Sequence, residues 1–190
     1  MRRRREPTLH IDANFDLWLP VPSSWPWEHH ADVDAWANAV AIAFGDAYGW
    51  DDATRQWCRE SVRTLSTEAP EDETRLAIID PEGRWLFFAS VLWAPTDESV
   101  TVAQLAAADD ENAVRAIETT DVVTDGLGAG VRTVRYVDDQ TGSRAIVGII
   151  QHAFRTDGLD IMVIASSHDV ILLQELEPEI DALAQSLSVS

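Results

Sequence analysis

From residue 145 the chain is almost continuously apolar: Ala145, Ile146, Val147, Gly148, Ile149 and Ile150, then Ala153 and Phe154. The run is short and rich in β-branched residues, which predicts a strand. Apolar residues on both parities at its start suit an interior strand covered on two faces. Asp157-Gly158 comes next, and a second β-like run begins at Leu159. Asp-Gly between two such runs predicts a type I′ hairpin, because both central positions need φ > 0. With those two residues as the loop, Phe154 faces Ile161, His152 faces Val163 and Ile150 faces Ala165. Arg155 then faces Asp160 as an opposite-charge pair. Residues 131–137 alternate as a third strand, joined through a loop at 138–143, so the three form a meander.

After Ala165 the pattern changes. Ser166 or Ser167 reads as a helix cap, with Asp169 adding negative charge to the first turn. Pro178 divides the remaining residues into a short first piece and a helix from about Glu177 that buries Ile180, Leu183, Ala184 and Leu187.

Upstream, Phe15, Leu17 and Leu19 alternate with Asp16 and Trp18 and predict a first strand, ended by Pro20, Pro22 and Pro26. Asp32 caps a helix with Val33, Trp36, Val40, Phe44 and Ala47 on one stripe, closed by Gly49. Asp51 or Asp52 caps a second helix with Trp57, Cys58, Val62 and Leu65 inward. Residues 75–79 predict a strand, 80–83 a type I turn, and 84–93 the return strand. Trp85, Phe87, Ala89, Val91 and Trp93 share one parity of that strand, and Trp36, Trp57, Trp85 and Trp93 are expected in the core. Thr101 and Gln104 form a capping box for a short helix through Ala108. The second half of 114–124 reads as a strand, and the glycine-rich residues 125–130 as a flexible turn into the meander.

The fold class is therefore α+β: a mostly antiparallel sheet of five to seven strands flanked by helices in a layered sandwich. Residues 9–190 read as a single domain and residues 1–8 as a disordered basic tip. The opening Phe15-Asp16-Leu17-Trp18-Leu19-Pro20-Val21-Pro22, the meander and the ending from Glu179 to Leu187 resemble the Mog1/PsbP-like α-β-α sandwich proteins in layout. That resemblance implies a binding or accessory role, without a shared catalytic residue.

Charge narrows the function. The formal net charge is -19, and four of the 14 basic residues are Arg2 to Arg5. All the basic residues are arginine, which points to a GC-rich bacterial genome. A surface this acidic repels phosphate backbones, so nucleic-acid binding is not expected and a basic protein partner is. Cys58 is the single cysteine, which excludes an intrachain disulfide and a cysteine-based metal site. The arginine run is not followed by the apolar core of a signal peptide, and no window of 18 apolar residues occurs, so a cytoplasmic protein without a membrane span is expected.

Candidate chemistry is sparse. Trp25 and Trp27 sit among prolines and form either an aromatic patch for a partner or a lid over the sheet. His29 and His30, with Glu28, Asp32 and Asp34, have metal-ligand residue types, but their spacing is not that of a zinc site. Arg55, Arg59 and Arg63 recur every four residues and either pair with Asp51, Asp52 and Glu60 or recognise an anion. Ser166, Ser167, His168 and Asp169 contain the residue types of a triad without its geometry. His152 falls on the apolar face of the hairpin, where a backbone-bonded core histidine is expected. No cofactor or metal is indicated.

The expected function is a non-catalytic binding or accessory protein acting through protein–protein contacts. One rival is a small-ligand binder or enzyme with a pocket between the sheet and the first two helices, lined by His152, Tyr136, Arg132 and Arg135. Another is an acidic neutralising subunit for a basic partner.

Overall fold

The computed structural model describes residues 7–70, 73–139 and 145–190. Residues 1–6 of the basic tip and residues 140–143 of the meander loop lie outside the described residues. In chain order the elements are β1 (Leu9–Ile11), β2 (Leu19–Val21), α1 (Val33–Tyr48), α2 (Asp52–Thr67), β3 (Glu73–Ile79), β4 (Leu86–Pro95), α3 (Val102–Leu105), β5 (Glu118–Thr124), β6 (Gly128–Asp138), β7 (Ile146–Thr156), β8 (Leu159–Ser167), α4 (Val170–Glu175), α5 (Glu177–Gln185) and β9 (Leu187–Val189). The class is α+β. Seven strands form an antiparallel sheet in the order β2-β3-β4-β8-β7-β6-β5, and β1 pairs with β9 separately. Contacts divide the chain into two compact units, residues 15–88 and residues 1–14 with 89–190.

In the unit of residues 15–88, two capped helices form a pair. The Asp32 carboxylate accepts from Ala35 N at 2.8 Å and the Asp51 carboxylate from Thr54 N at 2.8 Å, each satisfying a first-turn amide. Gly49 closes α1 in the left-handed region at φ 69°. The pair buries Trp36, Val40, Ala41, Cys58, Val62 and Leu65 with Trp50, and with Val21, Ala77 and Ile79 from β2 and β3. Trp50 donates from Nε1 to Pro81 O at 2.7 Å, so its polar edge is satisfied while its rings pack.

This unit corrects the expected first strand. Residues 15–17 form a turn, Phe15 is 54% exposed and Trp18 is buried. The strand begins at Leu19 and includes Pro20, which stands opposite Leu76. A proline is tolerated there because β2 is an edge strand with one side unpaired. The large apolar area of Trp18 outweighs the alternation that placed it outward. On α1, Ala47 is exposed, because the buried stripe ends at Gly45.

The other unit contains the meander in the expected register. Phe154 pairs with Ile161, His152 with Val163, Ile150 with Ala165 and Arg155 with Asp160. Asp157 at φ 50° and Gly158 at φ 84° supply the turn. Phe154, Ile161, Val163 and Ile150 are buried on one face, together with Leu173 of α4 and Ile180, Leu183 and Ala184 of α5. The helix α3 lies against β6, β7 and β8 through the opposite parity, where Thr133 Oγ1 donates to Ala106 O at 2.6 Å.

Four boundaries differ from expectation in this unit. β8 runs through Ser167, and Asp169, not a serine, caps α4 by accepting from Ile171 N and Leu172 N. A carboxylate serves this position better because it also opposes the positive end of the helix. α3 stops at Leu105, and Ala107 turns the chain at φ 53°. Leu187 is buried in β9 and not in the last helix. Gly128 and Gly130 belong to β6, where a Cβ on Gly130 would stand 2.5 Å from Ala153 O and strike the Phe154 ring.

Of the four tryptophans expected inside, Trp36 is 1% exposed, Trp57 and Trp85 are half-buried, and Trp93 is 38% exposed. Burial alternates along β4 only as far as Val91, and its last residues emerge into solvent.

Candidate functional site

On the meander face that packs against α4 and α5, two basic side chains stand among the apolar ones. Arg132 of β6 and His152 of β7 are direct cross-strand partners, so both side chains rise from the same face of the sheet. Above them α5 presents Glu177 and Asp181, four residues apart and therefore on one side of the helix. Arg132 Nε donates to Asp181 Oδ1 at 2.8 Å, and its Nη2 donates to Glu177 Oε1. His152 Nε2 lies 3.0 Å from the same Asp181 Oδ1. One carboxylate oxygen thus receives both strands' polar groups.

The electrostatics of the cluster come from this geometry. Burial pulls the Asp181 carboxyl upward, but hydrogen bonds from His152 and Arg132 outweigh it and hold the group below the ordinary carboxylate range. Burial works against the charge on Arg132, and Asp181 and Glu177 more than restore it. His152 is 3% exposed, and its Nδ1 is buried with no hydrogen-bond partner among the described residues. A cavity of about 60 Å³ adjoins it, lined by Arg132, Asp181, Thr124 and Phe154 among others. That space is enough for a few waters. The Thr124 hydroxyl is engaged as acceptor of the Leu127 N–H at 3.1 Å. The network's evident work is to seat α5 on the sheet.

The expected grouping of His152, Arg132, Tyr136 and Arg135 into one pocket is not what the strands allow. Arg135 has the opposite parity to Arg132 and projects from the other face. There it donates to Asp110 Oδ2 at 3.1 Å and to Gln151 Oε1 at 2.9 Å. Burial lowers its pKa, and Asp110 resists the shift. Tyr136 carries the Arg115 guanidinium over its ring at 3.8 Å. His152 bonds to a carboxylate where a backbone partner was expected. Sequence reasoning misses Asp181 and Glu177, whose one signal is an i, i+4 acidic pair beside the apolar stripe of α5.

The residues singled out near the first helix pair are dispersed. Trp25 and Trp27 are half-buried and pack against the core of their unit, Trp25 with its ring 6.2 Å from that of Trp36. Trp27 stacks on His30 at 6.4 Å, and His29 is exposed. Among the described residues no cluster of His, Cys, Asp and Glu is arranged to hold a metal ion. Arg55 and Arg63 pair with α1 and not with their own helix: Arg55 with Asp46 at 3.0 Å and Arg63 with Asp34 at 2.7 Å. Gly45 makes this possible, since a Cβ there would collide with the Arg55 guanidinium. Arg59 makes no ion pair among the described residues.

The balance of charges is one-sided. Of the nine described arginines, all but Arg59 are in ion pairs within the chain. Glu98, Asp109, Glu111, Asp121, Asp125 and Asp157 are exposed and in no ion pair among the described residues. No described helix is long and apolar enough to cross a membrane. No protein-family model matches this chain, and no curated protein matches it either.

Proposed function

We propose that this is a binding or accessory protein whose partner is a protein with a cationic surface. The observation that carries the reading is the uncompensated acidity: net charge is -19, and eight of the nine described arginines are engaged internally while acids remain in solvent. Such a field accelerates encounter with a basic partner and repels nucleic acid. The layout resemblance to Mog1/PsbP-like sandwiches supports the same reading. Binding takes place in the cytoplasm in this scheme. The acidic neutralising subunit is the special case in which the contact also silences the partner.

The test is fluorescence anisotropy with a labelled oligoarginine peptide, across salt from about 50 to 300 mM. Binding that weakens at least about tenfold over that range is expected, with none to a short DNA duplex. An oligoarginine that stays free at low salt, or a duplex bound equally well, overturns the proposal.

A second reading has one specific observation behind it. The orphaned Nδ1 of buried His152 beside a cavity favours a very small polar ligand at that point. Its mark is a shift of the His152 ring resonances on adding the ligand, absent in His152→Phe.

A further inference from the structure

The two ends of the seven-stranded sheet are unlike. At one end β2 has three residues, one of them Pro20. A short, proline-bearing edge resists further pairing. At the other end β5 has seven residues, Glu-Thr-Thr-Asp-Val-Val-Thr, with no proline. Its register with β6 is unbroken from Glu118↔Val134 to Thr124↔Gly128, so no bulge twists it away. Residues 118–121 are exposed and Val123 is 79% exposed. An antiparallel ladder on one side leaves alternate backbone N–H and C=O groups directed outward on the other. Among the described residues no backbone hydrogen bond reaches that outer side.

The geometry points to the β5 edge as the docking site for an extended cationic segment of the partner, which adds to the sheet as an eighth strand. This rests on the cationic-partner reading and names its contact surface. Backbone pairing supplies the affinity and alternate side chains the selectivity. Asp121 and, past the strand, Asp125 meet arginine or lysine of the incoming strand, and Val123 offers it an apolar contact. Charge also decides against a second copy of this chain. An antiparallel β5–β5 pair over the full strand sets Asp121 opposite Asp121, and like charges directly opposite are destabilising.

The experiment uses the intact protein and a labelled peptide of alternating Arg and Val, about as long as β5. A second peptide has the same sequence with alternate amides N-methylated, and a third is oligoarginine. Anisotropy gives affinity, and amide hydrogen exchange gives location. The expected result is binding of the first peptide, at least about tenfold weaker for the N-methylated one, with new protection confined to residues 118–124. Asp121→Arg, at an exposed position and checked for folding by circular dichroism, is expected to weaken the first peptide by a similar factor. Equal affinity for the methylated peptide, or protection elsewhere, sinks the strand-addition inference while leaving a cationic partner standing. Failure of both the Arg-Val peptide and oligoarginine to bind removes the two readings together.

Discussion

Asp181 is the residue on which the acid side of stability turns in the α5 region. Its folded pKa is depressed, so the stability it contributes is present above the unfolded carboxylate value near 4. That contribution is lost as pH falls through the lower folded value. Urea midpoints measured from neutral pH down to about pH 2 are expected to fall less steeply for Asp181→Asn than for the native chain. Parallel slopes would show that the contacts with His152 and Arg132 do not discriminate the charged form. At neutral pH the same variant leaves Arg132 with Glu177 alone. A cost of roughly 1–3 kcal/mol is expected, below the fully buried figure because Asp181 keeps about a third of its side chain in solvent. Cys58 makes a second residue-level case. It is fully buried, and burial pushes its thiol up to about 11. Iodoacetamide is expected to leave it untouched in the native protein and to react only at the rate of unfolding.

At the scale of elements, the β7–β8 hairpin is held by its turn and by one ion pair. Arg155 grips Asp160 through two bonds, at 2.6 and 2.9 Å, and reaches Val100 O at 2.7 Å. The hydrogen bond from Arg155 is the chief reason the Asp160 carboxyl lies below the ordinary range. Gly158 has φ 84°, where a Cβ is disfavoured although the space is open. Gly158→Ala is expected to destabilise by about 1 kcal/mol through strain alone, read as a lower urea midpoint with an unchanged m-value. The cap of α4 offers a parallel measurement. Asp169→Ala removes acceptors for two amides and is expected to cost about 1 kcal/mol.

At the scale of the molecule, net charge governs. Self-repulsion at -19 destabilises any compact state, and added salt screens it. The melting temperature is expected to rise between about 20 and 300 mM sodium chloride, as read by scanning calorimetry. A fall would mean that the internal arginine pairs outweigh the repulsion. Contacts between the first and last strands act over the same long range in sequence. Thr8 N donates to Ser190 O at 3.0 Å and Ser190 N to Thr8 O at 3.1 Å, extending the β1–β9 pair.

Local patterning determined much of this protein. The hairpin register, the helix cap at Asp32, a second cap at Asp51 or Asp52, the Thr101 capping box and the break at Pro178 were legible because each depends on neighbours in sequence. So was the acidity, which is a sum over residues and needs no fold. The tertiary structure alone decided which polar residues meet. Arg132, His152 and the Glu177–Asp181 pair are far apart along the chain, and a one-residue change of β6–β7 register would have turned Arg132 to the other face. The burial of Trp18, the exposure of Trp93, the β1–β9 pair and the open edge at β5 have the same origin. Each depends on which surfaces long-range pairing covers and which it leaves uncovered, and no local periodicity encodes that.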